Sequence, residues 1–332
     1  MNIPNEWQPS GSVESLVKRA QILTEIRQYF AAEKVLEVET PTISPSTITD
    51  VHLEAMRTVH TNPHSVKKTH LFLQTSPEYY MKRMLCAGFP SIYQITKCYR
   101  DDEVGRCHNP EFTMLEWYRL GFSMVELIKD VDMLLRLVLD TPACEKITYR
   151  ELFVRHLDLD VKSDTDFKIV TLCKKFGYEN IVPSYFKDKL SQFDRDMLLQ
   201  LLFCEKIERQ IGLERPIAVM NFPASQASLA KIDPSDPWLS LRFEFYYKGI
   251  ELANGFEELN DADEQKTRFI LDNKQRKECG LDVKAEDVKF LNALKVGLPK
   301  CSGVALGIDR LLMLALGKKH ISEVLSFDFA SL

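Results

Sequence analysis

The sequence lacks most of the features that would assign a chemistry at once. Its eight cysteines contain no CxxC pair, so the usual spacing of a zinc site is missing. Nothing at the N-terminus reads as a secretion signal, so a disulfide framework is not expected, and the thiols are read as reduced and cytoplasmic. No apolar run is long enough to cross a bilayer, which argues against a helical membrane protein. Positive charge is not in excess. The net charge of −5 gives no bulk attraction for nucleic acid, although Lys67, Lys68, Lys82 and Arg83 can make a local basic patch. Internal repeats and low-complexity tracts are also missing.

What remains is ordinary globular material. The chain has 332 residues, 45% hydrophobic and 27% charged, enough for a full core. Residues 1–11 read as a loose lead-in, and residues 12–332 read as one domain. Ser12 can cap a helix in which Leu16, Ala20, Leu23, Ile26 and Phe30 recur at helical spacing. VLEVETP follows as a strand ended by Pro41, and HLFLQTSPEYYMKRML reads as strand, turn and helix. SIYQITKCYR and EFTMLEWYR form a long hairpin around the polar loop RDDEVGRCHNP. Residues from about 121 to 215 look like a largely helical insertion. RPIAVMNFP, FEFYYKGIELANGFEEL and SGVALG are strand material, and IDRLLMLALG is a helix closing on Gly317. Strands gathered at both ends of the chain predict an α+β fold: a mostly antiparallel sheet flanked by helices, with a helical insertion.

Two segments carry charge where a buried strand should have none. In FEFYYKGIELANGFEEL, a turn at Lys248-Gly249 makes Tyr247 face Ile250, Tyr246 face Glu251, and Phe245 face Leu252. One face is then apolar: Phe243, Phe245, Tyr247, Ile250 and Leu252. The other carries Arg242, Glu244, Tyr246 and Glu251. Glu244 and Glu251 become diagonal neighbours that can converge on a Mg²⁺ carrying polyphosphate; a plain solvated face is the other reading. A bulge at Asn254-Gly255 would bring Glu258 onto the same face.

In the other hairpin, Phe112, Met114, Glu116 and Tyr118 share a face. Phe112 can stack on a nucleobase and Arg100 can grip a phosphate, while an ordinary amphipathic hairpin would look the same. Gly307 lies where a strand passes into a helix, and Arg310 lies in that helix's first turn, where anions are favoured.

Three segments in order resemble the three signature motifs of class II aminoacyl-tRNA synthetases: VLEVETP, YRDDEVGRCHNPEFTMLEWY and GVALGIDRLLM. TSPEYYMKRML, HNPEFTMLEWY and FEFYYKGIELANGFEELND are similar to lysyl-enzyme segments. Only eleven residues precede the first expected helix, so the OB-fold module that reads a tRNA anticodon is not expected. The resemblance is then to the compact members of the family, the elongation factor P–lysine transferases. These imply ATP and Mg²⁺ as cofactors, lysine or (R)-β-lysine as substrate, elongation factor P as acceptor, and a homodimer built on the first motif.

Carried over by position, the resemblance implies that Glu244 and Glu251 hold Mg²⁺ and ATP. Arg100 and Asn254 take the substrate carboxylate, with Arg100 and Arg310 as the catalytic arginines. Asp101, Asp102, His108, Asn109, Phe112, Leu252 and Gly307 border ATP. Glu258 and Tyr118 receive the side-chain ammonium; Ser76, Pro77, Glu78 and Glu116 help place the other amino group. Two departures stand out. Ala305 replaces the glycine usual in lysyl enzymes, and its methyl can favour a shifted amino group. Asp102 stands where glutamate is usual, and Glu103 can substitute for it. An ammonia-dependent asparagine synthetase and an inactive synthetase-like regulatory subunit are competing readings. The first fits poorly with the acids Glu78, Glu116 and Glu258, and the second with the retained Arg100, Arg310, Glu244 and Glu251.

Overall fold

Alternation and capping account for most of the elements in the computed structural model, which describes residues 7–61, 68–101 and 103–332. Of the residues singled out above, Lys67 and Asp102 lie outside the described residues. In chain order the elements are α1 (Val13–Ala32), β1 (Leu36–Glu37), β2 (Ile43–Ser44), β3 (Arg57–Thr61), β4 (Lys68–Leu73), α2 (Glu78–Cys86), β5 (Ile92–Tyr99) and β6 (Glu111–Leu120). Then come α3 (Met124–Leu139), β7 (Glu145–Thr148), α4 (Tyr149–Leu157), α5 (Asp166–Lys175), α6 (Gln192–Leu202), β8 (Ile217–Met220), β9 (Arg242–Tyr247) and β10 (Ile250–Glu257). The last are α7 (Ala262–Glu278), α8 (Val288–Val296), β11 (Cys301–Gly307) and α9 (Ile308–Ala315).

The chain divides into two compact units, one of Met1–Phe122, Leu137–Asp140 and Asn260–Leu332, the other of Ser123–Arg136 and Thr141–Leu259. In the first unit the strand order runs β1-β5-β6-β11. β1 lies parallel to β5, and the other pairs are antiparallel. A small antiparallel sheet, β2-β4-β3, accompanies it. Ser12 caps α1 as expected, its hydroxyl accepting from the Ser15 amide at 3.1 Å. The stripe that α1 buries is rotated from the expected one: Ser15, Ile22, Ile26 and Phe30 are buried, and Ala20 is exposed. Arg19 turns inward instead, to Asp309 at the start of α9 and to the Thr113 hydroxyl on β6. Asp309 also accepts from the Thr113 amide at 2.7 Å. This buried ion pair fixes the helix orientation that apolar spacing alone could not predict. The expected loose lead-in is tied down at its end, where the Ser10 and Gly11 amides donate to Ser326 and Leu325 carbonyls at 2.8 and 2.9 Å.

In the second unit the order is β10-β9-β8-β7, antiparallel except for the β7–β8 pair. The expected helical insertion holds α3 to α6 but also strand β7. Thr148 and Glu151 form a capping box that starts α4 directly from β7. A cluster of buried side chains, among them Tyr149, Phe153, Phe203 and Tyr246, joins these helices to β8 and β9.

The β9–β10 turn has positive φ at both Lys248 (50°) and Gly249 (67°), the geometry of a two-residue hairpin turn. Gly249 is required twice over, because a Cβ there would lie 3.0 Å from the Arg209 Cα. Tyr247 faces Ile250 and Tyr246 faces Glu251, as expected. Phe245, however, faces Ala253 and not Leu252. The bulge lies between Glu251 and Ala253, with Leu252 as the extra residue, two residues before Asn254 of the Asn-Gly pair that suggested it. The parity is the same after either bulge, and Asn254 and Phe256 pair with Glu244 and Arg242.

Candidate active site

Each unit carries its own cluster of ionisable groups. In the first, β6 brings Phe112, Met114, Glu116 and Tyr118 to one face by strand alternation, as the spacing predicts. Glu116 is only 2% exposed. The Ser76 hydroxyl donates to its Oε2 at 2.7 Å, and the Tyr118 hydroxyl to its Oε1 at 2.6 Å. Burial, reinforced by the nearby Glu78 carboxylate, pushes the Glu116 carboxyl up to about 8, against the pull of Tyr118, Ser76 and Lys82.

Glu78 opens α2, with its amide donating to the Ser76 hydroxyl at 3.0 Å. Its carboxylate accepts from Lys82 one turn later, at 2.5 Å. Lys82 is fully buried, so it is not part of the surface basic patch suggested by composition. Ser76 and Glu78 also line a recess with Ser44, Ser46, Gln74 and Asp287. Ala305 on β11 pairs directly with Glu116. Residues directly opposite share a face, so the Ala305 methyl and the Glu116 carboxyl are neighbours.

Beyond the end of β5, Arg100 sits over the Phe112 ring at 5.0 Å and donates to Glu103 Oε1 at 2.8 Å. Glu103 Oε2 lies 3.8 Å from His108 Nε2, which also meets the Arg310 guanidinium. Arg310 reaches back from α9 to donate to the Cys107 carbonyl at 3.2 Å. Gly307 is the residue before α9 and pairs with Met114. Asn109 serves the main chain: its Nδ2 donates to the Glu111 carbonyl at 2.6 Å, and its Oδ1 accepts from the Phe329 amide at 2.9 Å. Asp101 is exposed, and its amide donates to the Glu54 carbonyl at 3.0 Å.

In the second unit, Glu244 is buried, with its oxygens taken by the Arg242 guanidinium and the Tyr246 hydroxyl. Burial raises the Glu244 carboxyl above its ordinary range, and Glu251 adds to that, while Arg242 opposes it. Glu251 lies opposite Tyr246, diagonal to Glu244, as expected, and Asn254 lies directly opposite Glu244. Glu258, just past β10, is buried and in step with Asn254 and Phe256.

The model of the tRNA synthetases class II (D, K and N) family matches residues 9–330. The chain belongs to this family. It is 50% identical over 322 residues to an elongation factor P–(R)-beta-lysine ligase of Proteus mirabilis (strain HI4320), covering 97% of each chain. It is 49% identical over 327 residues to the protein of that name from Haemophilus influenzae (strain PittGG), covering 98% of each. The α+β class II synthetase fold expected from the three motifs is the one present.

Set against the class II synthetase expectations, the structure brings Ser76, Glu78, Glu116, Tyr118 and Ala305 together, and separately Arg100, His108, Phe112 and Arg310. Glu244, expected as a metal ligand, is paired with Arg242 and hydrogen-bonded by Tyr246. Among the described residues, no group of three or more His, Cys, Asp or Glu side chains is arranged to hold a metal ion. A Mg²⁺ that carries polyphosphate takes only one or two protein carboxylates, and Glu244 and Glu251, diagonal across β9 and β10, would be that pair. Arg242, Glu244 and Tyr246 at period two on one strand are the sequence signal for this ion pair. Lys82, one helical turn after Glu78, was the signal for the other.

Proposed function

We propose that the protein is an AMP-forming ligase that activates a lysine, (R)-β-lysine in particular, with ATP, and transfers it to a lysine side chain of elongation factor P. Support comes from the family, from the two half-identical relatives that carry this name, and above all from Glu116. That carboxyl is buried, is held by two hydroxyls, and lies against another acid whose own cation, Lys82, is already engaged. Such a group gains most from an incoming ammonium. It gains nothing from the acidic amino acid that an asparagine synthetase would bind.

In this reading the substrate carboxylate attacks the α-phosphorus of ATP, pyrophosphate leaves, and an acceptor amine then attacks the mixed anhydride and releases AMP. Arg100 and Arg310 meet the developing charge, Phe112 stacks on adenine, and Asp101, Asp102, His108, Asn109, Leu252 and Gly307 border the nucleotide. Glu78, Glu116 and Tyr118, with the Ser76-Pro77 turn, hold amino groups. Glu258 takes the side-chain ammonium, and Asn254 takes the carboxylate. The Ala305 methyl tunes the choice among lysine isomers. No step is assigned to Mg²⁺. The protein acts as a cytoplasmic homodimer through the VLEVETP segment. Among the described residues, no helix is long and apolar enough to cross a membrane.

The test is mass spectrometry of elongation factor P after incubation with the protein, ATP and (R)-β-lysine, with one added lysyl residue expected. ATP–pyrophosphate exchange that fails with every lysine isomer would overturn the reading.

A further inference from the structure

Glu103 has no role in the proposed reaction beyond standing in for Asp102, yet it sits at the centre of the nucleotide-binding cations of the first unit. Its carboxylate holds Arg100 through Nη1 at 2.8 Å on one oxygen and lies 3.8 Å from His108 Nε2 on the other. His108 in turn meets Arg310. Arg100 is further engaged by the ring of Phe112, 5.0 Å below its guanidinium. The two groups expected to take phosphate and adenine are therefore in contact with each other, and the phosphate ligand already holds an anion.

The supports of these groups differ in stiffness. Arg100 directly follows β5, with its amide donating to the Pro110 carbonyl at 2.9 Å. Arg310 stands in the first turn of α9. Glu103 belongs to the loop between β5 and β6, where Gly105 and His108 exchange main-chain hydrogen bonds at 3.1 and 3.2 Å and close a turn of their own. The cations are fixed by regular structure, and the anion rides on a turn. Burial works against the charge on Glu103, but Arg100, His108 and Arg310 outweigh it and hold the carboxyl below its ordinary range, so it is ionised at neutral pH. Its single negative charge faces two guanidinium groups, which leaves positive charge for a polyphosphate to balance.

We infer that Glu103 is an internal substitute for the nucleotide's phosphate, holding Arg100 over Phe112 until ATP exchanges places with it. Glu103 is a positioning residue in this sense, and it competes with the ligand whose site it maintains. The inference rests on the proposed use of ATP at Arg100 and Arg310.

The sign of one substitution decides it. Glu103→Gln keeps the size of the side chain and removes the competing charge. Calorimetric titration with ATP, and separately with inorganic pyrophosphate, should then show binding tightened by roughly fivefold, the strength of a partly exposed ion pair. Glu103→Asp restores the charge and should return both affinities to within roughly twofold of the original. A merely structural role for Glu103 would lower the thermal midpoint without tightening pyrophosphate binding. ATP binding that weakens or stays unchanged in Glu103→Gln overturns the inference, because a direct contact to nucleotide loses affinity when removed. If the unaltered protein binds neither probe, the inference and the proposed function fall together. If exchange fails with all lysine isomers while Glu103→Gln still binds ATP more tightly, only the proposed function falls.

Discussion

Two buried glutamates, one in each unit, show how much a partner decides. Glu116 on β6 and Glu244 on β9 are both nearly inaccessible, both raised by burial, and both hydrogen-bonded by a tyrosine two residues further along the strand. Glu244 has a guanidinium as its second partner, and Glu116 has a hydroxyl. A hydroxyl satisfies an oxygen without cancelling a charge, so Glu116 stays poised for a cation, while Glu244 has become part of the framework. Sequence position alone made both look like ligands.

The comparison can be broken most severely at Glu244. Glu244→Ala leaves Arg242 buried without its counter-charge, and the unfolding free energy should fall by about 3–5 kcal/mol in urea titrations. A stable variant whose Mg²⁺ requirement has shifted instead would return Glu244 to the metal. Next comes Glu116→Gln, which should lower kcat/KM for lysine in pyrophosphate exchange by about a hundredfold, the loss of one charged contact, with no loss of thermal stability. Equal damage to stability would mean that the two glutamates do the same job.

A pH experiment separates them further. Glu116 keeps its proton in the folded protein up to about 8, whereas in the unfolded chain it loses it near 4.5, the ordinary value. The folded state binds the extra proton between these values, so the contribution of this group to stability falls as pH rises from about 4.5 to about 8 and is level above that. Glu116→Gln should flatten that decline. Lysine affinity should rise over the upper part of the same window, because binding an ammonium expels the proton; calorimetry in buffers of different ionisation heat reads the release. The smallest effect belongs to Ala305→Gly. Removing one methyl beside Glu116 should shift the preference among lysine isomers by roughly tenfold, measured by competition in the exchange assay.

Much of this was legible in the chain. Period-two alternation placed Phe112, Met114, Glu116 and Tyr118 on one face, and the Lys248-Gly249 turn fixed the first two pairs of the β9–β10 hairpin. Helix capping located the start of α1. What stayed hidden was pairing. That Arg242 would claim Glu244, that Lys82 would turn inward to Glu78, and that Arg19 would rotate α1 toward Asp309 are each choices among several possible partners. Alternation gives a side chain its face and leaves its partner open. The bulge was misplaced for a similar reason: glycine permits an extra residue, but the packing of Leu252, 2% exposed, determined where it went.

That extra residue is the one place on β10 where the chain can lose a residue without losing a cross-strand pair. Replacing Leu252 by another aliphatic group would cost a little packing. Deleting it would leave the Lys248-Gly249 turn intact and close the bulge, with Ala253, Asn254 and Phe256 still opposite Phe245, Glu244 and Arg242 in an unbroken ladder. A single-codon loss should therefore be tolerated at this position more readily than at the paired positions around it, where it would shift the register.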